Sequence, residues 1–149
     1  MVSGETSMNE ARVELLPFEQ GMSVSLPMFI SPVSAGFPLP VEDYIDTMFD
    51  LNEYLIGNKS STFLLRVRGN SMCDVGIYEG SILVVDKSIE PADGNTVVAI
   101  VNGDFLVKIY KIQGNRHVLM AANKNYAPIV MGEGGYIWGV ATNCINELL

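Results

Sequence analysis

From Thr62 onward the chain is a succession of short apolar stretches separated by turn residues, and that spacing admits little besides an antiparallel sheet. Thr62–Arg68, Ser81–Asp86, Asn95–Val101, Phe105–Ile112, His117–Ala121, Pro128–Met131 and Tyr136–Ala141 each read as a strand. Asn102-Gly103 is a strong hairpin signal, because both central positions of a type I′ turn need a positive φ. Gly114-Asn115 is a second. Ahead of the sheet, Val41, Tyr44, Ile45 and Met48 fall at helical spacing and predict a short amphipathic helix, with Pro40 suited to its first turn. Asn52 is the expected cap of a second helical turn that stops at Gly57. Residues 1–40 read as an N-terminal arm. Within it Leu26, Met28, Phe29, Ile30 and Val33 are too apolar for a free linker, which predicts an extended segment packed against something. The fold expected is mostly β: an arm over 1–40, then one antiparallel β domain over 41–149 that begins with a short helical part.

Charge and cysteine usage narrow the function. The net charge is −8, and an acidic chain gains nothing from neutralising phosphates, so direct nucleic-acid binding is not expected. Two cysteines, Cys73 and Cys144, make no disulfide framework and read as reduced thiols of a cytoplasmic protein. Ser34-Ala35-Gly36 has the small residues of an export cleavage site, but acids precede it, and Pro27 and Pro32 break the apolar stretch. No run approaches membrane-spanning length, so no membrane partner is expected. No cluster of metal-ligand type and no cofactor motif is present.

One short stretch carries chemistry. Gly69-Asn70-Ser71-Met72 follows the strand-like run Thr62–Arg68 and precedes the turn formers Asp74 and Gly76, which puts Ser71 at a bend. In an arbitrary Gly-x-Ser the serine is a plain turn residue. A nucleophilic serine needs a base, because its hydroxyl is weak unaided. The lone histidine, His117, lies in Gly114-Asn115-Arg116-His117 and reads as an exposed turn residue. A lysine can take the part of histidine, as Ser-Lys pairs do on unrelated folds. Lys108 interrupts the apolar run Phe105-Leu106-Val107-Lys108-Ile109-Tyr110 and shares a strand face with Leu106 and Tyr110. The competing reading makes it a lysine on the wet face of an edge strand.

Taken jointly, Gly69-Asn70-Ser71-Met72, Asp74, Gly76-Ile77, Gly80-Ser81-Ile82-Leu83-Val84-Val85-Asp86 and Phe105-Leu106-Val107-Lys108 resemble the self-cleaving domain of the LexA/UmuD family of Ser-Lys peptidases. The interval from Ser71 to Lys108 matches the family spacing. Asp50-Leu51-Asn52 with Leu55-Ile56, and Ala35-Gly36-Phe37-Pro38-Leu39-Pro40, resemble UmuD rather than LexA, and the likeness spans about residues 36–148. It implies a strongly bent antiparallel sheet, Ser71 as nucleophile, Lys108 as base and Ala35–Gly36 as the bond cut. It also suggests the backbone N–H groups of Asn70 and Ser71 as oxyanion donors.

A lysine acts as a base only after losing its proton, and an apolar setting disfavours the ammonium form. The amine then takes the Ser71 proton, Ser71 attacks the Ala35 carbonyl carbon, and Gly36 leaves as a new N-terminus. The resemblance further implies a homodimer, stimulation by a RecA–single-stranded-DNA filament, and service to a Y-family, UmuC-like DNA polymerase in the SOS response. Two other classes stay open: a non-cleaving dimeric interaction module, and a relative of signal peptidases.

Overall fold

The structure, a computed structural model, describes residues 10–16, 21, 24–29 and 45–149. The expected cleavage bond, Ala35–Gly36, lies outside the described residues, as do Val41 and Tyr44 of the predicted helix. The chain forms two compact units, Met1–Phe18 with Asn58–Leu149, and Glu19–Gly57.

In the larger unit the strands are β1 (Arg12–Leu16), β4 (Thr62–Arg68), β5 (Ile82–Asp86), β6 (Thr96–Val101), β7 (Asp104–Gln113), β8 (Arg116–Met120), β9 (Ile129–Val130) and β10 (Gly135–Ile145). Their order is β1-β4-β5-β10-β6-β7-β8-β9, and β1 also meets β7, so six of them close on themselves as a strongly curled antiparallel sheet. The seven strands expected from the sequence are all present. Most of their ends move by a residue or two, while β10 runs on to Ile145.

Two register shifts let β10 bend far enough to pair with β6 through its first half and β5 through its second. Gly139 sits between them. A Cβ there would lie 2.6 Å from Val85 Cγ1, so the two strands approach only because it is glycine. The Asn102-Gly103 turn joins β6 to β7 with φ of 51° and 84°, as a type I′ hairpin requires.

Leu65, Val67, Met72, Ile77, Leu83, Val85, Val98 and Val107 form the main core and close over Ala11. Val97, Ala99, Tyr110, Leu119 and Val140 form a second cluster. β5 and β6 are nearly all apolar and bury both faces, which continuous apolar runs predict for central strands.

The smaller unit corrects two expectations. Its strands β2 (Ser25–Phe29) and β3 (Ile45–Asp50) pair antiparallel, so Ile45 and Met48 lie in a strand and not in the amphipathic helix expected there. Ile45, Thr47 and Phe49 are strand formers at alternate positions, and a partner strand satisfies them where helical spacing alone would not. The apolar Leu26, Met28 and Phe29 are that partner, in extended form as expected. Helix α1 (Leu51–Leu55) follows, and its cap is Asp50 rather than Asn52: the Asp50 carboxylate accepts from the N–H groups of Asn52 at 2.9 Å and Glu53 at 3.4 Å.

Candidate active site

β4 ends at Arg68, and the chain turns at Gly69 with φ 95°, where the Gly69 N–H donates to the Glu79 carboxylate. Ser71 lies in this turn. Met72 next to it is fully buried in the core, which on its own contributes about 1.5–3 kcal/mol. The 3-10 turn Cys73–Val75 follows, and the Asp74 N–H donates to the Ala122 carbonyl at 2.8 Å. The bend therefore has two anchors close beside Ser71, a packed methionine and a backbone bond across to residue 122.

Lys108 lies in the middle of β7, opposite Val97 of β6. Its side chain is 0% exposed, which removes the reading of a lysine on a wet face. Leu106 and Tyr110, on either side of it along the strand, are buried too.

Ser71 lies at the expected bend and is also 0% exposed. What covers it is β1 and the residues just before it. The Ala11 N–H donates to Ser71 Oγ at 2.8 Å, and the neighbouring Glu10 carboxylate pairs with Lys108 Nζ. Consecutive residues of one segment thus touch both candidate side chains, which brings Ser71 and Lys108, far apart in sequence, to the same short stretch of backbone.

A loop between β8 and β9 closes another side. Asn123 Nδ2 donates to the Asn70 carbonyl at 3.0 Å, and Tyr126 OH donates to Asn70 Oδ1 at 2.8 Å. Asn70 is held by both its backbone and its side chain. The Tyr126 ring lies over Lys108 Nζ, 5.3 Å from ring centre to nitrogen, a cation–π distance. Burial, with the neighbouring Glu10 and Cys73 behind it, pushes the Tyr126 phenol above its ordinary range, so it stays a donor.

Sequence reasoning missed four residues here: Glu10, Ala11, Asn123 and Tyr126. In sequence Asn123-Lys124-Asn125-Tyr126 signals only a polar loop, and Glu10 and Ala11 only a polar tail. His117 is exposed on β8, with Nδ1 bonded to Tyr110 OH, and belongs to the outer hairpin. Among the described residues no group of three or more metal-ligating side chains forms, and no helix is long and apolar enough to cross a membrane.

This arrangement, a serine at a strand end and a buried strand lysine, can be compared with known proteins. Residues 27–142 match the peptidase S24-like family. The chain is 37% identical to protein MucA of Salmonella typhimurium over 126 residues, covering 83% of this chain and 86% of that one. It is 35% identical to protein SamA of Salmonella typhimurium strain LT2 over 131 residues, 88% of this chain and 92% of that one. Against the LexA repressor of Shewanella denitrificans it is 37% identical over 117 residues, which cover 78% of this chain but 56% of the repressor. The family match takes in Ser71 and Lys108, and with MucA and SamA aligned along most of their length it shows that the chain belongs to the peptidase S24-like family.

Proposed function

We propose that this protein is a serine endopeptidase acting on itself, with Ser71 as nucleophile and Lys108 as base, and that it cuts the Ala35–Gly36 bond. The observation that carries the reading is the shared cleft: two fully buried polar side chains, from β7 and the turn after β4, touched by adjacent residues of one peptide strand. A groove that binds extended backbone beside a serine and an amine is suited to cutting a peptide.

The steps balance as acyl transfer. Lys108, as free amine, takes the Ser71 proton while Ser71 Oγ attacks the Ala35 carbonyl carbon. Backbone N–H groups at Asn70 and Ser71 face the developing oxyanion, where each donor contributes about 3–4 kcal/mol in comparable sites. The Asn123 and Tyr126 bonds hold Asn70 in place for that task. The C–N bond breaks, the Lys108 ammonium returns a proton to the Gly36 amine, and water then releases Ala35 from Ser71 by the same base. No cofactor takes part.

Likeness to MucA, SamA and the LexA repressor supports a place in the SOS response to DNA damage. In this reading the protein is a cytoplasmic homodimer. A RecA–single-stranded-DNA filament speeds the cut by binding best to the state in which Ala35–Gly36 is docked. The shortened dimer then assists a Y-family translesion polymerase.

The test is self-cleavage at alkaline pH, followed by mass spectrometry. A chain beginning at Gly36 is expected from the native sequence and from neither Ser71→Ala nor Lys108→Ala. Lys108→Arg fails as well, since a guanidinium keeps its proton. A Gly36 product from the Ser71→Ala protein would remove the nucleophile assignment.

A further inference from the structure

Among the described residues, β1 and the two residues before it occupy the cleft. β1 lies antiparallel to β4 from Arg12↔Arg68 to Leu16↔Leu64, and it reaches β7 where the Val107 N–H donates to the Ala11 carbonyl at 2.8 Å. Ala11 is fully buried in the main core, and Val13 packs partly buried against it. The other face of the strand carries alternating charge. Glu10 meets Lys108, Arg12 meets Asp104 at 3.7 Å, and Glu14 meets Arg68 at 2.9 Å.

This pattern fixes the register. A strand that slips by one residue turns Ala11 and Val13 out of the core. A slip by two keeps the faces but inverts the signs, so that Arg12 or an uncharged residue comes to Lys108. The segment therefore fits this groove in one position, acid–small–base–apolar–acid along Glu10-Ala11-Arg12-Val13-Glu14.

The bound strand is poorly placed to react. The Ala11 N–H points at Ser71 Oγ, which puts the oxygen near the plane of the Glu10–Ala11 peptide group, whereas attack on a carbonyl carbon comes from above that plane. The ion pair with Glu10 uses Lys108 as an ammonium, and the base must be the free amine. Both reacting groups are engaged in holding the strand.

We propose that the groove between β4 and β7 is a peptide-binding site with its own sequence preference, that Glu10–Leu16 is its ligand in cis, and that this strand competes with the Ala35–Gly36 segment for the cleft. The inference rests on the peptidase reading. Cleavage proceeds only from the fraction of molecules in which β1 has left, so weakening β1 raises the rate by the gain in that fraction. The excised piece keeps the binding sequence and can return to the groove as a separate peptide.

Two measurements on the full-length chain test this. The first is backbone hydrogen exchange at neutral pH, which reads docking without any need for cleavage. Residues 11–16 and Val107 are expected to be protected, and Glu10→Lys, which sets two ammonium groups together, should cut their protection by about tenfold or more. The second is the rate of self-cleavage. Glu10→Lys should raise it about tenfold, and Arg12→Glu, which faces Asp104 away from the dyad, about threefold. Adding Asp104→Arg to Arg12→Glu should restore slow cleavage by re-forming the pair with its signs exchanged. A synthetic peptide of residues 7–18, added to the Glu10→Lys protein, should slow it again.

Unprotected amides at 11–16 in the native chain would overturn the docking. Protection lost on Glu10→Lys with the rate unchanged or lower would overturn the competition. A complete lack of Gly36 product from every variant at every pH would instead remove the peptidase reading, and the competition with it, while exchange still decides whether the groove binds its strand.

Discussion

Tyr126→Phe deletes one oxygen and leaves the ring over Lys108 in place. The loss is the 2.8 Å hydrogen bond from Tyr126 OH to Asn70 Oδ1. That bond lies near solvent and water replaces part of it, so it falls at the low end of the usual range, about 0.5–1 kcal/mol. Asn123 still holds the Asn70 carbonyl at 3.0 Å, so the turn keeps its shape and loses precision. If all of that energy serves to aim the oxyanion donors, self-cleavage slows by about two- to fivefold, at 1.36 kcal/mol per tenfold. The assay is single-turnover conversion to the Gly36 chain, beside a urea unfolding curve of an uncleaved sample. The phenol is pushed up from its ordinary value, so it remains a donor across the neutral and mildly alkaline range. The ratio of native to Tyr126→Phe rates should therefore stay constant from about pH 7 to pH 10 and shrink only above that. A rate equal to native alongside lowered stability would refute the positioning role. A loss beyond a hundredfold would mean that the phenol takes part in proton transfer.

Met72→Ala should lower unfolding stability by about 2–5 kcal/mol, read from the urea midpoint at constant slope, because a fully buried side chain beside Ser71 leaves a cavity. Asp86 is raised by burial but lowered further by hydrogen bonds from Ser61 and Ser88, and its net pKa falls. A depressed carboxyl contributes stability above the ordinary carboxylate range and loses it as pH falls through the folded value. Asp86→Asn should thus cost about 1 kcal/mol at pH 7 and progressively less in urea curves taken as the pH falls below the ordinary carboxylate range. His117→Ala should cleave like the native chain, since the ring lies exposed on β8; a large loss would bring histidine back into the mechanism. Gly36→Val should block the cut by crowding a narrow site and restricting the backbone, which mass spectrometry of aged samples would show.

The strands of the main sheet were legible in the sequence because their cause is local. Apolar residues alternate or run together between Gly and Asn turns, and Asn102-Gly103 adopts the positive φ values its hairpin needs whatever else surrounds it. The joint pattern around Ser71 and Lys108 was legible for the same kind of reason, fixed residue types at fixed separations. Non-local pairing decided the rest. Ile45–Asp50 has helical spacing at Ile45 and Met48, yet it is a strand, because Ser25–Phe29 supplies hydrogen-bond partners that no local pattern announces. Asp50 took the helix cap from Asn52 once that strand set where α1 begins. Glu10-Ala11-Arg12-Val13-Glu14 does alternate charged with apolar residues, but which strands it joins is decided only where Lys108, Asp104 and Arg68, brought near it by the curl of the sheet, offer the opposite charge at each alternate position. A charge pattern has meaning only against its complement, and that complement is assembled from residues 68, 104 and 108, which meet only in the folded chain.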